Sequence, residues 1–123
     1  MGRWSEWRPL YHDDGTHLKP SEVEFEGPGT YILAVSRGRS PKRTLYVGST
    51  NDLKTRLYSH SHGDDTTWKA LDNAWANGYK VWYQVHTTRS AKRARRLEEN
   101  TLYEWWNYPL NILGNPVKKV RST

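Results

Sequence analysis

Polar side chains with reactive or charge-binding groups recur near the ends of the predicted strands and helices: Tyr31, Tyr46, Arg56, His60, Glu98, Glu99 and Asn111. Arg56 and His60 are four residues apart in a predicted helix, so they share one helix face. A guanidinium can place two donors on phosphate oxygens, and an imidazole can exchange a proton near neutral pH. A phenol has an ordinary pKa of about 10, so it acts as a base near neutrality only beside a positive charge or a proton acceptor. These residue types are suited to binding an anionic group and to transferring protons.

Three apolar or alternating runs predict the strands that would position these groups. Residues 30–36 form a short apolar run with β-branched and aromatic members, and residues 44–48 form a second one after a polar loop. Their closeness in the sequence predicts an antiparallel hairpin. Residues 79–87 alternate between apolar and polar, which predicts a half-buried third strand.

Helical spacing accounts for most of the remaining ordered chain. Leu53 and Leu57 give one helix an apolar stripe, and Ser49, Thr50 or Asn51 could cap it. A second helix is predicted over 67–77 and a third over 91–107, which Pro109 ends. The order of elements predicts an α/β (α+β) fold, with a small central antiparallel three-stranded sheet flanked by helices.

Composition shifts divide the chain into an N-terminal extension at 1–26, a domain at 27–115 and a basic C-terminal tail at 116–123. Trp4, Trp7 and Tyr11 in the extension either pack on the domain or stack on bases, and the sequence does not separate these alternatives. Seven Trp and eight Tyr compensate for a low content of aliphatic residues, so a folded core is expected.

Composition also restricts the location and the partner. The absence of Cys excludes disulfides and thiolate zinc sites, and no apolar run reaches the roughly 20 residues of a membrane span. We therefore expect a soluble cytoplasmic protein with no membrane partner. A net charge of +6 favours a nucleic-acid partner, because cations that neutralise phosphates release condensed counterions.

An ordered set of short motifs adds a family resemblance. Gly29-Thr30-Tyr31 is followed by Tyr46-Val47-Gly48 after a basic loop, then by Asp52 to Arg56 with His60 one turn later, and finally by a late glutamate and Pro109-Leu110-Asn111. This order resembles the GIY-YIG endonuclease family over roughly residues 27–115. The resemblance implies a metal-dependent endonuclease that hydrolyses DNA phosphodiester bonds with one divalent cation, Mg²⁺ or Mn²⁺, and acts as a monomer or a homodimer.

The resemblance also implies roles for the matching residues. Tyr31 would be the general base or would position the attacking water, and Tyr46 would orient the nucleophile and the phosphate. Arg56 would hold the scissile phosphate, His60 could accept a proton from a tyrosine, and Asn111 would hold the active-site arrangement or a phosphate.

A glutamate of the last helix is the metal ligand that the resemblance implies, because a hard cation that keeps several waters needs only one or two carboxylates. Helical periodicity does not choose between Glu98 and Glu99. The interval from Glu99 to Asn111 fits the family pattern better, so Glu99 is the predicted ligand.

Clusters of Lys and Arg supply the predicted contacts with the DNA backbone: Arg37, Arg39, Lys42, Arg43, Lys54, Arg89, Lys92, Arg93 and Arg96. The motifs include no appended DNA-recognition domain, so the target sequence or structure is not predicted. An alternative hypothesis is a nucleic-acid-binding module on the same fold that does not cleave.

Overall fold

One antiparallel sheet organises the fold of this computed structural model, which describes residues 4–38, 43–62 and 66–104, with the backbone alone at 59–62, 66 and 102–104. The strands are β1 (Arg8–Pro9), β2 (Gly29–Ser36), β3 (Arg43–Thr50) and β4 (Lys80–Thr87). The helices are α1 (Leu53–His62), α2 (Thr66–Ala76) and α3 (Ala91–Glu104), and a 3₁₀ turn spans Pro20–Glu22. The mixed α/β class agrees with the prediction.

The central strand β2 fixes the register of its neighbours. It pairs antiparallel with β3 on one side and with β4 on the other, so all eight of its residues are buried. Tyr31 lies opposite Gly48, and Thr30 lies opposite Ser49. Because successive residues of a strand face opposite sides of a sheet, these two pairs lie on opposite faces.

The predicted number of strands is wrong, because the described sheet has four strands in the order β1-β4-β2-β3. Arg8 lies opposite Tyr83 and Pro9 opposite Trp82, so the N-terminal segment adds an outer strand to β4. Proline is tolerated in such an outer strand because it need not donate to the ladder. A two-residue strand that contains proline has no periodicity, which is why the sequence pattern did not predict it.

The N-terminal segment also contributes to the core. Leu10, Tyr11, Leu18 and Val23 are buried in the same cluster as β2, β4, α1 and α2, and the ring of Tyr11 stacks on Trp75 at 5.4 Å between centroids. Trp4 and Trp7 pack on the opposite face of the sheet, against Ile32 and Val47. The described aromatic residues of this segment therefore pack on the domain, which was one of the two alternatives.

The helices cover both faces of the sheet, and a polar residue before α1 and another before α3 bond to the first turn of each helix. Asp52 precedes α1, where its carboxylate accepts a hydrogen bond from the Thr55 hydroxyl at 2.7 Å. This cap lies one to three residues later than the sequence suggested. Ser90 caps α3 through a hydrogen bond from the Arg93 amide to its hydroxyl at 3.2 Å. None of the described helices is long and apolar enough to cross a membrane.

If the N-terminal segment is part of the core, shortening a side chain there will destabilise the whole protein. Leu10 is completely buried, so we expect Leu10→Ala to lower the free energy of unfolding by about 2–5 kcal/mol, measured by urea denaturation. Glu6→Ala, at an exposed position of the same segment, is the control and should stay within about 0.5 kcal/mol of the wild type. Equal effects of the two substitutions would contradict this account.

Candidate active site

The side chains of Tyr31, Tyr46 and Arg56 form one cluster beside the outer strand β3. The Arg56 Nε donates a hydrogen bond to the Tyr31 hydroxyl oxygen at 3.1 Å. The rings of Tyr31 and Tyr46 lie 6.0 Å apart between centroids, and hydrogen bonds join Tyr46 to both Tyr31 and Arg56. The structure thus brings together three of the predicted site residues from two strands and one helix.

Gly48 makes room for the Tyr31 phenol. A β-carbon placed on Gly48 would lie 2.5 Å from the Tyr31 hydroxyl oxygen and 2.6 Å from its Cζ, and 2.8 Å from a ring carbon of Tyr46. Gly29 plays a similar part at the start of β2, where an added β-carbon would lie 2.6 Å from Leu53 Cδ1. The glycines of the two motifs therefore permit the close packing of α1 and the two tyrosines.

Helix α1 delivers Arg56 to the tyrosines through its buried stripe. Leu53 and Leu57 are completely buried under the sheet, and Arg56 lies on the edge of that stripe, half-buried. Burial acts to lower the pKa of Arg56, but Tyr31 and Tyr46 act in the opposite direction and the net shift raises the pKa. Arg56 therefore remains a cation at every physiological pH.

The two tyrosines of the cluster differ in how deeply they are buried. Only 1% of Tyr31 is exposed, and burial raises its pKa well above the ordinary value, reinforced by Tyr46 and opposed by Arg56. Tyr31 is therefore a neutral phenol near neutral pH. Tyr46 is only partly buried, so it is the phenol of the pair that can reach a substrate.

Helix α3 presents Glu98, and not Glu99, to the sheet. The Ser49 hydroxyl donates a hydrogen bond of 2.6 Å to Glu98 Oε1, whereas Glu99 is exposed. One turn earlier, the Thr30 hydroxyl donates a buried hydrogen bond of 2.6 Å to the Ala94 carbonyl, which fixes α3 against β2. Burial raises the pKa of Glu98, opposed by the hydrogen bond from Ser49. Glu98 therefore faces the sheet and Glu99 faces solvent, and the choice of Glu99 as the metal ligand stays a prediction.

Glu98 and the tyrosine cluster approach β3 from opposite faces of the sheet. Tyr31 and Gly48 face the side of α1, and Thr30 and Ser49 face the side of α3. In the described part of the chain β3 is an outer strand, so no further strand separates the two faces beyond it. Gly48 and Ser49 are adjacent, about 3.3 Å apart along the strand.

Most of the Lys and Arg side chains predicted to contact DNA are exposed, and one of them pairs with a carboxylate. Most of those described are exposed on β3, on the segment after β2 or around the start of α3: Arg37, Arg43, Arg89, Lys92, Arg93 and Arg96. Lys54 is partly buried and pairs with Glu26 at 3.8 Å. Other predicted positions lie outside the described residues or side chains: Arg39, Lys42, His60 and Asn111.

Sequence reasoning missed the polar pair that anchors α3. Thr30 and Ser49 face each other across β2 and β3 and contact Ala94 and Glu98 respectively. A signal for this contact is present in the small residues Ala94 and Thr101, which lie four residues before and three after Glu98 and are buried. This spacing marks the inward face of α3.

The described domain is thus a small α+β fold in which two phenols and a guanidinium form a cluster beside one edge of the sheet. The family model of the GIY-YIG catalytic domain matches residues 27–105. The chain therefore belongs to the GIY-YIG family of nucleases, as its motifs indicated. No curated protein and no solved structure matches the chain in the corresponding comparisons.

The close contact at Gly48 predicts a specific coupling with Tyr31. We expect Gly48→Ala to lower the free energy of unfolding by about 1–3 kcal/mol, because the new methyl group would overlap a buried phenol. In a Tyr31→Leu background the same substitution should cost much less, because the overlapping atoms are gone. A double-mutant cycle measured by urea denaturation tests this. Additive effects would mean that Tyr31 does not constrain Gly48.

Proposed function

We propose that the chain is a divalent-metal-dependent endonuclease that hydrolyses phosphodiester bonds of DNA. The observation that supports this most strongly is the hydrogen-bonded cluster of Tyr31, Tyr46 and Arg56 beside Gly48. Phosphodiester hydrolysis requires an oriented nucleophile and neutralisation of charge that develops on the phosphoryl oxygens. A permanent cation held between two phenols at an accessible edge can meet both needs.

The tyrosines have different roles in this proposal because their burial differs. Tyr31 is neutral and enclosed, so it positions Arg56 through its hydroxyl and does not act as the base. Tyr46, which is accessible, orients the attacking water and the phosphate. Arg56 contacts the phosphate oxygens through its guanidinium. His60, four residues after Arg56, accepts the proton, and Asn111 supports the arrangement, as the family resemblance implies.

Glu98 is the residue that would hold the divalent cation, Mg²⁺ or Mn²⁺. Its Oε1 accepts the Ser49 hydrogen bond, which orients the carboxylate. The described side chains contain no group of three or more His, Cys, Asp or Glu suited to a metal ion. A single carboxylate fits a cation of this type, which keeps several waters. When bound, the cation supplies neutralisation of the phosphate charge.

Exposed cations on two surfaces would bind the DNA backbone. Arg89, Lys92, Arg93 and Arg96 lie on or before the first half of α3, the helix that carries Glu98, and Arg37 and Arg43 flank the β2–β3 loop. Contacts of this kind are independent of sequence and position the strand. The proposal includes action as a monomer or a homodimer in the cytoplasm, and it leaves the target structure open.

Replacing Glu98 provides the main test. We expect Glu98→Gln to reduce DNA cleavage in Mg²⁺ on the order of 10²-fold or more, because the amide has no charge with which to hold the cation. Glu99→Gln removes the same charge one residue away on the exposed face and should retain cleavage within about 3-fold. Cleavage of labelled single-stranded, duplex and flap DNA is measured with Mg²⁺ and with chelator.

Several outcomes of that test are decisive. Cleavage that persists in chelator would contradict the metal dependence, and loss of cleavage in Glu99→Gln alone would restore the first choice of ligand. DNA binding without cleavage in every metal would favour the non-cleaving module.

Arg56 provides a second test that is independent of the metal ligand. We expect Arg56→Ala to reduce the cleavage rate on the order of 10²-fold, because it removes the charge that faces the phosphate. Arg56→Lys should restore only part of the rate, since one ammonium cannot replace the fork of donors. Lys54→Ala is the control on the same helix, where the cation already pairs with Glu26. An equal loss in Lys54→Ala would show a general electrostatic effect.

A further inference from the structure

A pocket of about 320 Å³ lies between the beginning of β3 and helix α2, away from the tyrosine cluster. We call it the β3–α2 pocket. Val35, Leu45 and Ala74 give it apolar walls. Its volume lies at the lower end of the range of small-ligand sites, which begins at about 300 Å³. The pocket therefore suits one compact, largely apolar group.

The rim of the β3–α2 pocket carries an aromatic ring, amides and cations. Tyr79 lines it, and the guanidinium of Arg37 lies 5.6 Å from the centroid of that ring. Asn73 and Arg43 also line it, and both are exposed. A flat group with apolar faces and polar edges would contact the aromatic ring and the amide together, and phosphates attached to it would lie near the two arginines. Nucleobases have this combination of properties.

The pocket opens on the same strand and the same face as the candidate active site. Arg43 pairs with Val35 and Tyr46 pairs with Leu33, so both lie on the β2–β3 ladder. Arg43 and Tyr46 are three residue steps apart along β3, which is about 10 Å. Stacked nucleotides of one strand are about 3.4 Å apart, and unstacked nucleotides are further apart. A strand that places a phosphate at Tyr46 would therefore bring a base within about three nucleotides of it to the pocket.

We propose that the β3–α2 pocket binds one unstacked base of the DNA strand, within about three nucleotides of the phosphate that is cleaved. The proposal rests on the proposed function for the position of that phosphate, but base binding itself does not require cleavage. Removing a base from a stacked duplex costs free energy, and the cost is least where the base is already unpaired. The pocket therefore favours single-stranded or branched DNA as the substrate.

Two substitutions on α2 test the pocket without touching the active site. Asn73→Glu places a negative charge on its rim, whereas Ala76→Glu adds the same side chain at an exposed position of the same helix that does not line it. Affinity for a labelled single-stranded oligonucleotide is measured in chelator, so that no cleavage occurs. We expect Asn73→Glu to weaken binding on the order of 10-fold and Ala76→Glu to weaken it less than about 2-fold. Equal effects would overturn the proposal.

The wild-type protein provides a second measurement that needs no variant. An oligonucleotide with a single abasic position is cleaved in Mg²⁺, and the ladder of products is compared with that of intact DNA. We expect cleavage to fall at one phosphate, within about three nucleotides of the missing base, and to remain elsewhere. An unchanged ladder would overturn the pocket while leaving the nuclease proposal in place.

Failure of the proposed function gives a different pattern. If the protein cleaves no DNA in any metal but Asn73→Glu still weakens binding far more than Ala76→Glu, the base pocket stands and the nuclease proposal fails. If the wild type binds no DNA, both proposals are overturned.

Discussion

The enclosed hydroxyl of Tyr31 is the constraint on which the candidate site depends. A buried polar group must find a partner inside the protein, and the Arg56 Nε supplies it. The guanidinium is consequently held in one direction, with α1 seated by Leu53 against Gly29. Gly48 must lack a side chain because the phenol occupies that space. The motif glycines, the helix position and the charge at the sheet edge are thus consequences of burying one phenol.

The two tyrosines of this site have different surroundings, and these determine what each phenol can do. Tyr31 and Tyr46 occupy neighbouring strands, yet only Tyr31 is enclosed. Enclosure disfavours its phenolate despite the adjacent cation. In the proposed function Tyr31 therefore positions Arg56 and does not abstract a proton, whereas the family resemblance left open whether Tyr31 is the base or positions the attacking water. The distinction could not come from the sequence, because it depends on how deeply the folded chain encloses each ring.

Much of the fold followed from local patterns, and the exceptions have physical causes. The apolar runs around Tyr31 and Tyr46 predicted β2 and β3, and the spacing of Leu53 and Leu57 predicted α1. The outer strand β1 was missed because Arg8 and Pro9 pair through the backbone alone and show no pattern. Glu98 and Glu99 point about 100° apart on a helix. The inward face of α3 is made of Ala94 and Thr101, too small and polar to stand out as an apolar stripe.

The placement of β1 has a consequence for self-association. By covering the free side of β4, it protects one margin of the sheet from pairing with a strand of another molecule, which is a common route to aggregation. In the described part of the chain, β3 is then the remaining margin with unpaired backbone groups. Two copies that joined their sheets there would cover Gly48 and Ser49. A sheet that continued from one copy into the next would therefore exclude a nucleic acid from the β3 edge, where the proposed active site lies.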